Sequence, residues 1–373
     1  MNYYLISGEA SGDLHGAHLV KALKKIDSNA RFRAWGGDLM KKEGAVIVKH
    51  YSELAFMGFW EVISHLPTIL KNIKICKKDI FSFNPDVIIY IDYPGFNLRI
   101  AQWAKKIGYK NHYYISPQVW AWKENRVNKM KQYLDALYVI LPFEKDFFEK
   151  KHNFHVHFVG HPLLDYIPNY PKNSKFHDKF ELDSKKPIIA LLPGSRLQEI
   201  KKKLPLFIQV VNHFSEYQFV VAGAPGLSFE NYTSFIKNDS LKVIYGATYD
   251  LLHHSVAALV TSGTATLETA LFEVPQIVCY RSSAFSYWIA KKIVRLNYIS
   301  LVNLILNRGA VKELIQEELS LPNLCKHLER ILKHSEQKAI LKDYKELKSI
   351  LGNGGASNKT AQLIYTAISK ERS

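Results

Sequence analysis

Short apolar runs alternate with amphipathic stretches along this chain of 373 residues, and this alternation constrains the fold more than any other feature. Residues 3–7 and 86–92 are short runs of β-branched and aromatic residues bounded by turn residues, a pattern typical of buried strands. A stretch with helical periodicity follows each run, at about 13–26 and 97–107. Strands that alternate with helices predict a parallel α/β sheet.

The pattern breaks at residues 165–186, which are rich in Pro, Asn and Lys and are predicted to be a linker. The alternation then restarts, and from about 311 the chain is predicted to be helical to its end. Further strands are expected at 111–116, 136–141, 155–160, 187–192, 218–222, 241–245, 257–261 and 276–280. We therefore predict an α/β protein with two Rossmann-like domains facing across a cleft, residues 1–165 and 187–345, and a helical C-terminal tail, residues 346–373.

The chain is strongly basic, with 50 Lys and Arg against 34 Asp and Glu, a formal charge of +16. This charge favours an anionic partner: a nucleic acid, an acidic membrane surface or a phosphorylated substrate. The three cysteines are far apart and no His, Cys, Asp or Glu group has metal-ligand spacing, so neither a disulfide framework nor a metal site is expected. No signal peptide and no apolar stretch of about 20 residues is found, which predicts a soluble or surface-bound protein.

Ligands of parallel sheets bind at the carboxyl ends of the strands, so polar residues just after a strand are candidate site residues. In the first domain, 8–13 (Gly-Glu-Ala-Ser-Gly-Asp) is either a ligand loop or a turn in which Ser11 or Asp13 caps the next helix. Asp92 ends a strand among aromatic residues and is either a general base or a turn cap. His161 follows another strand and is either a cleft residue or structural.

In the second domain, Gly194, Ser195 and Arg196 follow the first strand, and glycine backbone with an Arg fork suits phosphate oxygens. The alternative is a turn with a solvated Arg. Residues 261–268 (Thr-Ser-Gly-Thr-Ala-Thr-Leu-Glu) run from a strand into the start of a helix. This segment is either an anion site without a metal or a capping box. In the anion-site interpretation the contacts come from Ser262, Gly263, Thr264 and Thr266, and Glu268 could accept from a ribose diol.

Two basic amphipathic stretches mix aromatic residues, Leu or Ile, and cations, at 56–78 and 285–296. Such stretches lie in a membrane interface or pack on the sheet with a solvated basic face, and the pattern leaves both open.

Taken together, the motifs resemble those of lipid A disaccharide synthases, inverting glycosyltransferases of the B-type fold. The matching pieces span nearly the whole chain in the family's order: 8–13, 91–97 (Ile-Asp-Tyr-Pro-Gly-Phe-Asn), 116–122 (Ser-Pro-Gln-Val-Trp-Ala-Trp), 141–145 (Leu-Pro-Phe-Glu-Lys), 160–162 (Gly-His-Pro), 192–196, 262–268 and 311–318. Each piece alone is unspecific, whereas the ordered set is very specific.

The resemblance implies transfer of a sugar from UDP-2,3-diacylglucosamine to 2,3-diacylglucosamine 1-phosphate, without cofactor or metal. By the family's pattern, Asp92 matches the catalytic acid/base and Arg196 an Arg that is important near UDP. The pattern implies that the helix starting near Thr264 holds phosphate and Glu268 the ribose, with Asn303 and Gln316 at other parts of the nucleotide. Acceptor or sugar contacts are assigned to Glu9, Ser11, Asn97 and His161.

The sequence departs from the family pattern at three positions, with Tyr93 for Ala, Gly95 for Asp and Val302 for Pro. The resemblance also implies peripheral binding to the anionic inner membrane on its cytoplasmic side. A homodimer with exchanged C-terminal helices and helices that cross back within one chain both remain open. The competing functions are a UDP-sugar 2-epimerase of the same fold and a nucleic-acid-binding protein, which is disfavoured because no recognition module is present.

Overall fold

In the computed structural model the described residues are 1–54, 66–224, 226–236, 241–282 and 297–372. They form two compact units, one of Met1–Asp165 with Asn353–Ser373 and the other of Tyr166–Gly352. The strands are β1 (Asn2–Ile6), β2 (Arg31–Gly36), β3 (Val46–His50), β4 (Val87–Ile91), β5 (Asn111–Tyr114), β6 (Ala136–Val139), β7 (His157–Phe158), β8 (Ile188–Leu192), β9 (Gln218–Gly223), β10 (Lys242–Tyr245), β11 (Ser255–Thr261), β12 (Gln276–Tyr280) and β13 (Lys312–Ile315). The α-helices are α1 (Ala10–Ile26), α2 (Asp38–Lys42), α3 (Leu66–Phe83), α4 (Pro94–Lys106), α5 (Arg126–Tyr133), α6 (Pro142–Asp146), α7 (Phe176–Lys179), α8 (Leu197–Val211), α9 (Glu230–Thr233), α10 (Thr248–His253), α11 (Thr264–Leu271), α12 (Leu301–Leu306), α13 (Leu321–Ile331), α14 (His334–Leu351) and α15 (Ala356–Arg372).

The described strands of the first unit form a parallel sheet in the order β3-β2-β1-β4-β5-β6-β7. Central strand β4 is buried along its whole length, as expected for a strand covered on both sides of the sheet. The sequence prediction omitted β2 and β3. The charged residues of β2 and the half-exposed residues of edge strand β3 interrupt the continuous apolar run that marks a buried strand.

The C-terminal helix α15 packs against α1 and belongs to the first unit of its own chain. The Asp165 carboxylate accepts hydrogen bonds of 2.9 Å from the backbone N–H groups of both Ala356 and Ser357, where α15 begins. A carboxylate at this position satisfies helix N–H groups that have no partner within the helix. In this structure the helix therefore crosses back within the chain.

The described strands of the second unit form a parallel sheet in the order β10-β9-β8-β11-β12-β13. Strand β13 contradicts the prediction that the chain is helical from about 311, because Lys312–Ile315 pairs in register with β12. A strand of four residues at a sheet edge carries too little periodicity to be recognised from sequence. Its carboxylate Glu313 accepts the backbone N–H groups of Ile299 and Ser300, which ties the edge strand to the start of α12.

Candidate functional site

Each sheet changes direction of strand order at one place, between β1 and β4 in the first unit and between β8 and β11 in the second. In both pairs the strands lie directly side by side and parallel. Ligands of open α/β sheets bind at such switch points, outside the carboxyl ends of the strands. The loops after these four strands contain most of the residues singled out from the sequence.

Asp92 follows β4 directly, on a backbone turn that few residues adopt. Asp92 and Tyr93 have φ values of 44° and 53°, in the left-handed region that side chains disfavour. The turn is held by the Asp92 carbonyl, which accepts the amide of Asn97 at 2.6 Å and the hydroxyl of Tyr113. Strained backbone supported by surrounding contacts is typical of functional sites.

The electrostatic surroundings of Asp92 suit a general base. Asp92 is an exposed residue by surface area, yet the protein atoms packed around its carboxyl raise the pKa from 3.8 to about 6, with a further rise from the negative charge of Glu9. A backbone hydrogen bond from Tyr93 opposes the rise. A carboxylate with a pKa near 6 is ionised at neutral pH and more basic than an ordinary Asp, so it can accept a proton from a hydroxyl.

The loop after β1 packs against Tyr93, the residue that follows Asp92. A Cβ on Gly8 would come within 2.4 Å of the Tyr93 ring, so a glycine is required here. Glu9 is the N-cap residue of α1, and its side chain makes no capping hydrogen bond. Ser11 is half-buried in the first turn of this helix. Asp13 does not cap α1 as one alternative had it: its carboxylate accepts N–H groups of Gly37, Leu39 and Met40 at the start of α2.

Two residues predicted to contact the acceptor or sugar, Asn97 and His161, are buried in the first unit. Asn97 is fully buried, and its amide nitrogen donates to the carbonyls of Ile6 and Asp92, which ties the ends of β1 and β4 together. His161 is also buried; its Nδ1 accepts the Leu163 N–H, and burial lowers its pKa to about 3. These bonds hold the surrounding backbone in place, and contacts of Asn97 and His161 with the acceptor or sugar stay a prediction.

In the second unit, the loop after β8 is organised by a carboxylate. Gly194 has φ 127°, and a Cβ there would meet Glu199 at 2.3 Å. Glu199 accepts the Ser195 N–H at 3.1 Å and lies 3.9 Å from the Arg196 guanidinium. Ser195 and Arg196 are exposed, so the loop presents a hydroxyl and a cation to solvent.

The loop after β11 leads into α11 at Gly263, whose φ of 154° lies in the region that favours glycine. No side-chain hydrogen bond caps this helix, so the capping-box alternative is not realised. Ser262 donates to the Ile299 carbonyl and buried Thr266 to the Gly263 carbonyl. Of the three hydroxyl residues predicted to bind in this loop, Thr264 is therefore the exposed one, beside backbone N–H groups of the helix start that suit an anion.

Glu268 lies one turn into α11 and is half-buried. It accepts the Tyr249 hydroxyl at 2.7 Å, and burial raises the pKa of its carboxyl while this hydrogen bond opposes the rise. Tyr249 also stacks on Tyr166, with ring centroids 6.1 Å apart. The carboxylate retains acceptor capacity beyond that one bond, which a sugar hydroxyl can use.

Contacts of Asn303 and Gln316 with the nucleotide stay a prediction, and the structure shows what surrounds the two side chains. Asn303 is buried, its amide donating to the Val311 carbonyl and Glu313 and accepting the Val311 N–H. The Gln316 side chain is buried as well, and its oxygen accepts the N–H of Ser282 at 2.7 Å. Both residues join the chain segments after β12 to those around β13, because their amide groups match backbone donors and acceptors.

The comparisons with known proteins cover nearly the whole chain. The family described as Lipid-A-disaccharide synthetase matches residues 3–367. A lipid-A-disaccharide synthase of Coxiella burnetii (strain CbuG_Q212) is 35% identical over 369 residues, covering 98% of both chains. One of Syntrophus aciditrophicus (strain SB) is 37% identical over 374 residues, covering 98% of this chain and 97% of the relative.

The chain belongs to the lipid-A-disaccharide synthetase family. Membership makes it a glycosyltransferase, and the resemblance found in the motifs is confirmed.

The fold of this family member is shared with other nucleotide-sugar enzymes. The crystal structure of UDP-GlcNAc 2-epimerase from Neisseria meningitidis bound to UDP-GlcNAc superposes with a TM-score of 0.70, covering 98% of this chain and all of that chain at 11% identity. The predicted B-type glycosyltransferase fold with two Rossmann-like domains is thereby confirmed. At this low identity the likeness shows the fold alone, and family membership decides against the epimerase alternative.

Sequence reasoning missed three residues that organise the sites of this synthetase family member: Tyr113, Glu199 and Tyr249. Glu199 could have been found, because an acid three residues after Arg196 on a helix start is a recognisable ion-pair spacing. Tyr113 and Tyr249 carry no local signal. Each reaches its partner, the Asp92 carbonyl or Glu268, only through the folded sheet.

Proposed function

We propose that the protein transfers 2,3-diacylglucosamine from its UDP derivative to 2,3-diacylglucosamine 1-phosphate, which forms a β-1,6-linked disaccharide 1-phosphate and UDP. Family membership supports the reaction. The observation that carries the chemistry is the carboxylate of Asp92, held at a switch point with its pKa raised to about 6.

Asp92 takes the proton of the acceptor's 6-hydroxyl as that oxygen bonds to the anomeric carbon of the donor. The bond from this carbon to the UDP oxygen breaks in the same displacement, so the configuration inverts. The electron pair leaves with UDP, whose growing negative charge needs preorganised donors. We assign that task to the Arg196 guanidinium, Ser195 and the start of α11 at Gly263 and Thr264, with Glu268 accepting a ribose hydroxyl.

In this proposal each of the two units binds one substrate. The N-terminal unit binds the acceptor beside Asp92, with Glu9 and Ser11 lining that end of the sheet. The C-terminal unit binds UDP through the loops after β8 and β11. Asn97 and His161 in the first unit, and Asn303 and Gln316 in the second, bond to nearby backbone groups. We retain the first pair as candidate acceptor or sugar contacts and the second pair as candidate nucleotide contacts.

The test is a transfer assay with both acylated substrates, comparing wild type with Asp92→Asn and Arg196→Ala. Asp92→Asn should lower kcat by about 100-fold or more, the usual worth of a general base, and leave UDP affinity unchanged in calorimetry. Arg196→Ala should weaken UDP binding. Asp146→Asn removes a carboxylate from an exposed pair with Lys150 and should match wild type. Near-normal turnover of Asp92→Asn, or epimerisation of UDP-GlcNAc by wild type without acceptor, would contradict the proposal.

We also propose that the protein binds an anionic membrane surface, where both lipid substrates reside. None of the described helices combines the length and apolarity needed to cross a bilayer. Helix α3 buries Ile73, Cys76 and Ile80 in the core and exposes a mixed apolar and basic side. That side carries Leu70, Lys71, Lys74, Ile75, Lys78 and Phe81. The predicted stretches at 56–63 and 285–296 lie outside the described residues.

Vesicle binding tests this membrane proposal. Each Lys near an anionic surface contributes about 1 kcal/mol, so Lys71→Gln, Lys74→Gln and Lys78→Gln together should weaken binding to phosphatidylglycerol vesicles about 100-fold. The matched control replaces Lys338, Lys342 and Lys345, exposed on α14, and should bind like wild type. Equal losses in both triple variants would mean that net charge, not this surface, drives binding.

A further inference from the structure

The segments 116–122 and 141–145 match family motifs but have no role in the proposed reaction. The first lies in the loop that follows β5, and β5 pairs directly with β4 so that Tyr114 lies opposite Ile91. Because parallel strands end at the same edge of a sheet, this loop starts beside Asp92, one strand spacing away.

The loop after β5 is fixed by contacts with the second motif. The indole N–H of Trp120 donates to Glu144 at 3.1 Å, and its ring meets Phe143 edge-on at 4.8 Å between centroids. Glu144 is buried and also accepts the N–H groups of Ile140 and Leu141. The loop is therefore preorganised and holds the residues that follow it in place.

Those residues bring two cations to one exposed indole. The Trp122 side chain is 44% exposed. The Lys123 ammonium lies 4.3 Å from its ring centroid and the Arg126 guanidinium 5.5 Å. We call these three residues the Trp122 cation cluster.

The part of the chain that the structure describes provides no counter-ion for the charges of the cluster. Glu124, the acid between the two cations in sequence, is instead paired with Lys151 at 2.7 Å and His152 at 2.9 Å. Among the described residues, no carboxylate lies within ion-pair distance of Lys123 or Arg126. Burial lowers the pKa of both groups, and for Lys123 the neighbouring Arg126 charge lowers it further. A bound anion would offset this repulsion, and an Arg fork with an adjacent ammonium matches phosphate oxygens.

The cluster is electrostatically connected to the catalytic end of the sheet. Burial raises the pKa of the Tyr113 hydroxyl well above its ordinary value, and the positive charge of Arg126 opposes part of this rise. That hydroxyl donates to the carbonyl of Asp92. The cluster and the proposed base therefore belong to the same unit and follow the neighbouring strands β5 and β4.

We propose that Lys123 and Arg126, held over Trp122, bind the phosphate monoester of the acceptor and so place its hydroxyl at Asp92. This assignment rests on the proposed function and adds the residues that select a phosphorylated acceptor. The same chemistry would also suit the phosphodiester of an anionic lipid headgroup, so the experiment separates the two sources.

The experiment measures steady-state transfer by Arg126→Gln and Lys123→Gln with the phosphorylated acceptor and with the same acylated glucosamine lacking its 1-phosphate. Each variant should raise the KM for the phosphorylated acceptor about 10- to 100-fold, the range for a lost charge-assisted contact, and leave the donor KM unchanged. With the dephosphorylated acceptor, wild type and variants should have equal kcat/KM. Arg126→Lys should recover part of the loss because it keeps the charge.

Lys129→Gln is the matched control, since Lys129 is exposed on the same helix α5 and carries the same charge. Binding to phosphatidylglycerol vesicles is measured for all variants. Equal losses with both acceptors, or weaker vesicle binding by Arg126→Gln than by Lys129→Gln, would overturn the proposal in favour of a headgroup surface. Unchanged KM values would also overturn it. Absence of transfer by wild type would instead contradict the proposed function itself.

Discussion

The clearest prediction concerns Glu9→Gln and the pH dependence of transfer. The pKa of Asp92 is raised from 3.8 to about 6, first by burial and second by the charge of Glu9. A base acts only when deprotonated, so wild-type kcat/KM should fall below a midpoint near pH 6. Removing the Glu9 charge favours the ionised form of Asp92 and moves this midpoint to lower pH.

The size of the effect follows from the order of the two causes. Burial is the larger cause and persists in the variant, so the midpoint should drop by about one pH unit or less, toward pH 5. At pH 5.5 a midpoint of 6 leaves about a quarter of the plateau rate, whereas a midpoint of 5 leaves about three quarters. The relative rate at this pH should therefore rise about threefold.

The assay is kcat/KM for transfer between pH 4.5 and 8, with each variant normalised to its own plateau. Glu216→Gln makes the same chemical change at an exposed position after α8 and should keep the wild-type midpoint. Asp92→Asn should show no inflection near pH 6 in its residual activity. If the Glu9→Gln midpoint equals that of wild type or lies above it, the charge of Glu9 does not raise the pKa of the base and the reasoning is refuted.

Three stability predictions concern buried or half-buried polar groups, and urea unfolding measures the stability of each variant. Asp165→Ala removes the hydrogen bonds to the N–H groups of Ala356 and Ser357 and should lower the free energy of unfolding by about 1–3 kcal/mol. Proteolysis near α15 should become faster, and an unchanged rate would contradict the role of Asp165 in docking this helix. Lys203 is buried with its pKa lowered by burial to about 8. The pKa of Lys203 in the folded protein lies below its unfolded value of about 10.5, so the charged form destabilises the fold at pH 7. Lys203→Met should therefore raise the free energy of unfolding at pH 7 by up to about 3 kcal/mol. This gain should shrink as the pH rises from 8 to 10. Asn97→Asp would turn a carboxylate toward backbone carbonyls and should cost about 3 kcal/mol or more, so a loss below about 1 kcal/mol would mean that its amide is not needed.

The limits of sequence reasoning are visible at Asn97 and Asn303. Both were predicted to contact ligands, and both are buried with their amides bonded to backbone groups. A short polar side chain at a loop looks the same in sequence whether it points to solvent or ties two segments together. The segments that Asn97 joins, the ends of β1 and β4, are 80 residues or more apart in the chain, so no local pattern reveals the contact.

By itself the sequence determined the alternation of strands and helices, the two α/β domains, and the loops that carry Asp92 and Arg196. These features are local, because strand periodicity and turn residues act over a few positions. Only the tertiary structure decided that β1 lies beside β4 and β8 beside β11, which brings those loops to two switch points. It also decided that Glu9 raises the pKa of Asp92 and that Trp120 meets Glu144, because strand order and burial depend on contacts between distant segments.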